Sequence, residues 1–112
     1  MDEMMYHSFE NNVFMKAIDV CAKKSYSKKK EIESWFCEGG KYDGNYAVAD
    51  IFHALFNGNI ETIVERREDY YYENENRRPS EIFADLSSIM LAGKLNEPLL
   101  KELIDAFVEL VR

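Results

Sequence analysis

The strongest constraint on the fold is the spacing of apolar residues between Tyr46 and Phe56. Apolar side chains recur there at intervals of three and four residues, the pattern of a helix that buries one face: Val48, Ile51, Phe52, Leu55 and Phe56. Asp50 and His53 fall on another face of the same helix. Asn57-Gly58-Asn59 follows, with residues that tolerate the left-handed conformation in which helices often end. The segment therefore predicts an amphipathic helix.

Four further segments have helical apolar spacing, so we predict a mainly α-helical fold of about five helices around one core. With approximate bounds, these segments are residues 8–24, 27–37, 79–93 and 96–111. Pro79 is tolerated in the first turn of its helix, and Asn96 is a candidate N-cap. Ile60 to Val64 is rich in β-branched residues, so we predict an extended segment or a short β-hairpin near residues 60–75.

Length and composition favour one domain over residues 1–112, of which residues 1–7, including His7, lack an apolar anchor and can be disordered. Hydrophobic residues make up 46% of the chain, enough for a core. Fourteen basic and 21 acidic residues give a net charge of −7, which argues against sequence-independent nucleic-acid binding. No apolar run approaches the ~18 residues of a membrane span. We therefore expect a soluble, cytoplasmic protein that binds neither nucleic acid nor membrane.

Cys21 and Cys37 are the two cysteines. Both lie in apolar helical patterns, so we predict buried structural thiols. Two cysteines do not indicate a disulfide framework, and they are too few for a zinc site with four cysteine ligands.

The candidate site residues begin with two acidic residues at helical spacing. Glu81 and Asp85 are four residues apart, so both carboxylates share one helix surface, where they could bind a hard cation or orient a histidine. A solvated acidic face near a helix N-terminus explains the same spacing. Asp50 and His53, one turn apart, form either a structural pair or a catalytic one.

A second candidate is the aromatic and basic segment that precedes Glu81. Tyr70, Tyr71 and Tyr72 lie near Arg66 and Arg67, and tyrosine and arginine are favoured at protein-binding hot spots. These residues, together with Asp50 and His53, are therefore a candidate interaction patch, although tyrosines that pack a loop onto the domain would give the same pattern. The lysine cluster at positions 23, 24 and 28–30 indicates a solvated face.

Three stretches carry a resemblance to a known family: residues 46–60 (YAVADIFHALFNGNI), residues 70–72 (YYY) and residues 78–86 (RPSEIFADL). They resemble the zincin-like metallopeptidase domain of phage head-morphogenesis (minor head) proteins and prophage toxins. The resemblance extends loosely from about Phe9 to Val111, and its specific parts are residues 50–58 and 81–85. It implies that Glu81 matches the third zinc ligand, that Asp85 matches a residue supporting a ligand histidine, and that Asp50 matches an acidic residue of a family helix.

The sequence departs from that family at the metal site. His-Glu-x-x-His, which supplies two zinc ligands and the general base in the family, is absent. Residues 65–70, before Glu81, also lack the histidine that the family often has there. We therefore expect no catalytic residue, no cofactor and no metal, with Glu81 and Asp85 as vestigial ligand positions.

Three hypotheses follow for the function. The first is a non-catalytic structural or protein-interaction domain derived from a phage or prophage, located in the bacterial cytoplasm or the phage particle. The second is a fragment of a zinc metallopeptidase whose metal-binding helix lies upstream of Met1 or on another chain. The third is a small acidic module that binds a basic protein surface. The third predicts that Asp50 and Glu81 lie apart, whereas the first two place them near one cleft. The partner and the oligomeric state are not indicated.

Overall fold

A computed structural model describes residues 13–93 and 95–112 of the chain. This part is mainly α-helical, which confirms the predicted fold class, and it contains six helices and no strand. The helices are α1 (Val13–Tyr26), α2 (Lys29–Trp35), α3 (Tyr46–Leu55), α4 (Tyr70–Glu73), α5 (Arg77–Ala92) and α6 (Lys101–Val111), with a 3-10 turn at Pro98–Leu100 before α6. Two predictions fall outside the described residues. They are the start of the first helix at Ser8 and the expected disorder of residues 1–7, which include His7.

Helix α3 is the centre of the fold. Every residue from Val48 to Leu55 is buried, and the helix makes its most extensive contacts with α5. The side chain of Asn45 caps its N-terminus by accepting a hydrogen bond of 3.1 Å from the Val48 backbone N–H. The predicted apolar face is confirmed, but the face with Asp50 and His53 is also buried. Apolar spacing identifies one buried face, and here the neighbouring elements cover the other as well.

Aromatic side chains join the outer helices to each other and to α3. Phe14 of α1, Phe83 of α5 and Phe107 of α6 form a cluster with ring centroids 5.2 to 6.4 Å apart. Trp35, at the end of α2, meets Phe52 of α3 edge to face at 5.5 Å. These contacts, together with the packing of α1 on α6, enclose a single core.

The segment between α3 and α5 differs from its prediction. Residues 60–69 form neither a strand nor a hairpin, and Tyr70–Glu73 is a single helical turn. Ile60 and Val64 are nevertheless buried, so they anchor an irregular segment to the core. The β-branched run predicted an extended segment or a short hairpin. None of the described residues offers a partner strand, so no hairpin forms and side-chain burial decides the conformation.

Arg78 connects the start of α5 to the end of α3. Its Nε and Nη2 donate hydrogen bonds of 2.9 and 2.8 Å to the backbone carbonyls of Ala54 and Leu55. Carbonyl groups in the last turn of a helix lack partners within the helix, and a cation there also favours the helix dipole. The Arg78 side chain therefore completes α3 from a neighbouring element.

The two cysteines have different environments. Cys21 is buried, and its thiol donates to the Leu99 carbonyl at 3.1 Å. Burial raises the pKa of the Cys21 thiol to about 11. Cys37 is exposed, so the prediction that both thiols are buried is wrong for Cys37. It lies just beyond the C-terminus of α2, where the helical apolar face has already ended.

No helix among the described residues is both long enough and apolar enough to cross a membrane.

Candidate functional site

Three carboxylates converge where α3 packs against α5. Asp50 comes from α3, and Glu81 and Asp85 lie one turn apart on α5. One carboxylate oxygen from each residue lies within 4.8 Å of the other two, and Asp50 is only 1% exposed. We call these three residues the carboxylate cluster. Asp50 and Glu81 are therefore close together, as the first two hypotheses require and the third does not.

The Arg66 guanidinium lies within this cluster. Its Nη2 donates to Asp50 Oδ1 at 3.1 Å and lies 3.4 Å from Glu81 Oε2. Burial by itself would lower the pKa of Arg66, but the hydrogen bond and charge of Asp50, followed by the charge of Glu81, raise it above its ordinary value. Arg66 is thus a permanent internal counter-ion for two carboxylates.

The surroundings of Asp85 favour its protonated form. Burial is the main reason that its pKa lies far above the ordinary value of 3.8, and a hydrogen bond with Asp50 and the negative charges of Asp50 and Glu81 raise it further. Its Oδ2 is buried, and no N–H or O–H group of the described residues donates to it. A neutral carboxyl group removes one negative charge from the cluster and supplies an O–H that can be donated to Asp50.

Tyr70 closes the cluster on the side of α4. Its hydroxyl donates a hydrogen bond of 2.7 Å to Glu81 Oε1. The guanidinium groups of Arg66 and Arg77 lie 4.8 and 4.7 Å from its ring centroid, within the range of cation–π attraction. Burial and the bond to Glu81 raise the pKa of Tyr70, so its hydroxyl stays protonated and remains a donor.

His53 is paired with Tyr71, which lies outside the carboxylate cluster. Its Nδ1 lies 2.9 Å from the Tyr71 hydroxyl, and both side chains are buried. Burial lowers the pKa of His53 below 6.5 despite the opposing charge of Asp50. Burial likewise raises the pKa of Tyr71. At neutral pH the pair is therefore a neutral hydrogen-bonded contact that fixes α4 against α3.

The residues present do not fit a resident zinc ion. The cluster offers three carboxylates and no histidine, whereas catalytic zinc sites combine histidine or cysteine with a carboxylate and leave one position open. In addition, a guanidinium already bridges Asp50 and Glu81. The arrangement pairs two of the carboxylates with a cation of the chain itself.

The predicted interaction patch is divided between the interior and the surface. Asp50, His53 and Tyr71 are buried, and Tyr70 and Arg66 are half-buried in the contacts described above. Tyr72, which is 72% exposed, and Arg67 are the members at the surface. Those two border a cavity of about 290 Å³ with His53, Asn57, Gly58 and Arg66.

Sequence reasoning identified the members of this site but missed two roles. The sequence places Arg66 beside the tyrosines as a contact residue, and its pairing with Asp50, 16 residues earlier, has no local signature. The role of Asp85 as a protonated acid was also missed, because a raised pKa depends on burial that helical spacing does not reveal. The available hint is a pair of basic residues, Arg66 and Arg67, in an otherwise acidic stretch between two predicted helices.

No family model matches the chain, and neither a curated protein nor a solved structure is detectably similar to it. The resemblance to the zincin-like domain therefore stays a prediction.

Proposed function

We propose that this chain is a non-catalytic protein-interaction domain. The observation that carries the proposal is the position of Arg66, whose guanidinium bonds to Asp50 and lies against Glu81. The acidic residues that a metallopeptidase would leave available for a metal are here paired with the chain's own cation. Pairing of this kind reduces the negative charge that the site can offer to a metal ion.

The charges of the cluster support this proposal. Asp50 and Glu81 bring two negative charges when ionised, Arg66 brings one positive charge, and the surroundings of Asp85 favour its neutral form. A divalent cation would have to displace Arg66 and the proton of Asp85. A half-buried guanidinium left without its carboxylate partners lowers the stability of the fold by about 3 kcal/mol.

We also propose that the domain derives from a phage or prophage zincin-like domain that has lost its metal function. The support is the residue pattern at positions 46–60 and 78–86, together with the closeness of Asp50 and Glu81. The two matching segments form α3 and α5, which are the two helices in most extensive contact.

Metal analysis of the full chain tests the loss of metal function. After purification with excess zinc followed by dialysis, we expect inductively coupled plasma mass spectrometry to find far less than one zinc per chain. Stoichiometric zinc that disappears in Glu81→Ala, but is kept in the matched variant Glu68→Ala, would overturn the proposal. Glu68 is an exposed carboxylate of the same neighbourhood, so it controls for general loss of negative charge.

The metallopeptidase alternative has one observation in its favour, which is the convergence of three carboxylates within 4.8 Å. Under that alternative an additional segment, upstream or on another chain, would supply the histidines. It predicts that His-Glu-x-x-His codons lie in frame shortly before the codon for Met1. The same metal analysis, repeated with that segment included, would decide between the two proposals.

A further inference from the structure

A shallow apolar groove runs between α1 and α6. These two helices pack side by side in opposite directions, since Phe14 near the start of α1 meets Phe107 late in α6 and Lys24 near the end of α1 pairs with Glu102 early in α6. The groove has a volume of about 370 Å³ and lies far along the chain from the residues of the carboxylate cluster. It is lined by apolar residues of both helices: Val13, Ala17, Val20 and Ala106.

The shape of the groove suits a helix. Ala17 and Ala106 are its buried lining residues. Alanine lets a third helix axis approach closely, because the distance between packed helices depends on the side chains at the contact. Val13 and Val20, two turns apart on α1, are 66% and 40% exposed. Exposed aliphatic side chains at this spacing lie on one side of α1, where the apolar anchors of a bound amphipathic helix could pack against them.

The edge of the groove formed by α6 is acidic. Glu102, Asp105 and Glu109 lie along it, whereas Lys16 is the basic lining residue on the α1 edge. Lys24 pairs with Glu102 at 2.5 Å and Arg112 with Glu109 at 3.2 Å, so both ends are partly neutralised. Asp105, between them, forms no ion pair within the described part of the chain. An occupant with basic residues along one edge would complement this rim.

The same charges disfavour the two occupants that the chain itself could supply. A second copy would bring another net charge of −7 and a second acidic rim. Residues 1–12 contain Asp2, Glu3 and Glu10 and no lysine or arginine, so that segment is acidic as well. Repulsion between like charges at an interface opposes association of either with the α6 edge.

We infer that the α1–α6 groove binds a basic amphipathic helix of a partner protein. Apolar residues of the partner would cover Val13, Ala17, Val20 and Ala106, and arginines or lysines along one edge would face Glu102, Asp105 and Glu109. The inference deepens the proposed function, because it names the class of partner for an interaction domain.

Fluorescence anisotropy with a labelled model peptide tests this inference on the full chain. The probe is an amphipathic helical peptide of about 18 residues with leucine at i, i+3, i+4 and i+7 and arginine along one edge. A matched peptide carries glutamate in place of arginine. We expect saturable binding of the arginine peptide that weakens with added salt, and at least about tenfold weaker binding of the glutamate peptide.

Variants of exposed residues locate the binding site. We expect two variants to weaken binding of the arginine peptide at least about tenfold. One is Val20→Asp, and the other combines Asp105→Lys with Glu109→Lys. Leu91→Asp is the matched control, because Leu91 is an 89% exposed aliphatic residue on α5 that does not line this groove. Circular dichroism establishes that each variant remains helical. Equal effects of Val20→Asp and Leu91→Asp would overturn the assignment of the groove.

Two further results would assign the groove to another occupant and so overturn the inference. Light scattering that finds a dimer in the wild type and a monomer in Val20→Asp would identify a second copy. A photo-crosslinking residue at position 20 that joins to residues 1–12 of the same chain would identify that segment. If the chain binds no zinc and the arginine peptide does not bind either, this inference alone is overturned. If the chain binds stoichiometric zinc, the proposed function is overturned.

Discussion

Asp85 is an acid whose protonated form the fold favours. Burial, the hydrogen bond to Asp50 and the nearby carboxylates all favour its neutral form. When the pKa in the folded state lies above the unfolded value, the contribution to stability is complete below the unfolded pKa and is lost as the pH rises toward the folded pKa. Asp85 therefore makes the chain less stable as the pH rises from about 4 through neutrality.

Replacing Asp85 by asparagine removes this titration and keeps a neutral side chain of similar shape with a donor for Asp50. We expect Asp85→Asn to be more stable than the wild type at pH 8 by about 1 kcal/mol or more, and by less at pH 5. Urea unfolding at the two pH values measures the difference. Asp105→Asn, at an exposed position on α6, is the control and is expected to change the free energy of unfolding by less than about 0.5 kcal/mol at both pH values. Equal stability of Asp85→Asn and the wild type at pH 8 would contradict the protonated state.

Arg66 balances the charge of the same cluster, so its loss leaves two carboxylates without a cation. We expect Arg66→Met to lower the free energy of unfolding by about 3–5 kcal/mol, as for one partner removed from a buried ion pair.

Calcium or manganese added to this variant is expected to raise its melting temperature, because carboxylate oxygens are preferred ligands of hard cations. Arg67→Met, at an exposed ion pair, is expected to lose less than about 1 kcal/mol and to gain nothing from the cations. If calcium or manganese raised the melting temperature of the wild type as much as that of Arg66→Met, Arg66 would not be what keeps these cations out of the site.

At the level of secondary-structure elements, α3 depends on a side chain from α5. Arg78 donates to the carbonyls of Ala54 and Leu55 through two different nitrogens. Lysine at this position keeps the charge but cannot present two donors in a fixed fork. We expect Arg78→Lys to lower the free energy of unfolding by about 1–2 kcal/mol, measured by chemical denaturation. A loss under about 0.3 kcal/mol would mean that charge at the helix end, and not the paired hydrogen bonds, is what α3 requires.

The elements also show how far the sequence predicts this fold. The apolar spacing of residues 46–56 predicts α3 closely, because a helical period is a local property. The burial of Asp50 could not be predicted in the same way, since it depends on Arg66 arriving from an irregular segment. The helical spacing of Glu81 and Asp85 was correct, but only the packing of α5 on α3 brings them to Asp50. Ile60 to Val64 has a local preference for strand that the rest of the chain does not satisfy.

At the scale of the whole molecule, the two cysteines report on the folded state. Cys37 is exposed, whereas Cys21 is buried with its pKa raised to about 11. We expect one of the two thiols to react quickly with a disulfide reagent in the native protein, and both to react in guanidinium. In Cys37→Ser the remaining thiol is expected to react only as the whole core opens, so its rate would fall with every stabilising change such as Asp85→Asn. Fast reaction of Cys21 in the native Cys37→Ser protein would mean that α1 separates from the core locally.

The burial of α3 on all sides also determines how this chain can diverge in evolution. A helix at the surface accepts substitutions on its outer face, so variable positions recur along it with a helical period. From Val48 to Leu55 every position is enclosed, two of them by polar partners that come from other segments. We expect a saturation mutagenesis library selected for folding to show one continuous intolerant block there, and changes at Asp50 to persist only when position 66 changes with it.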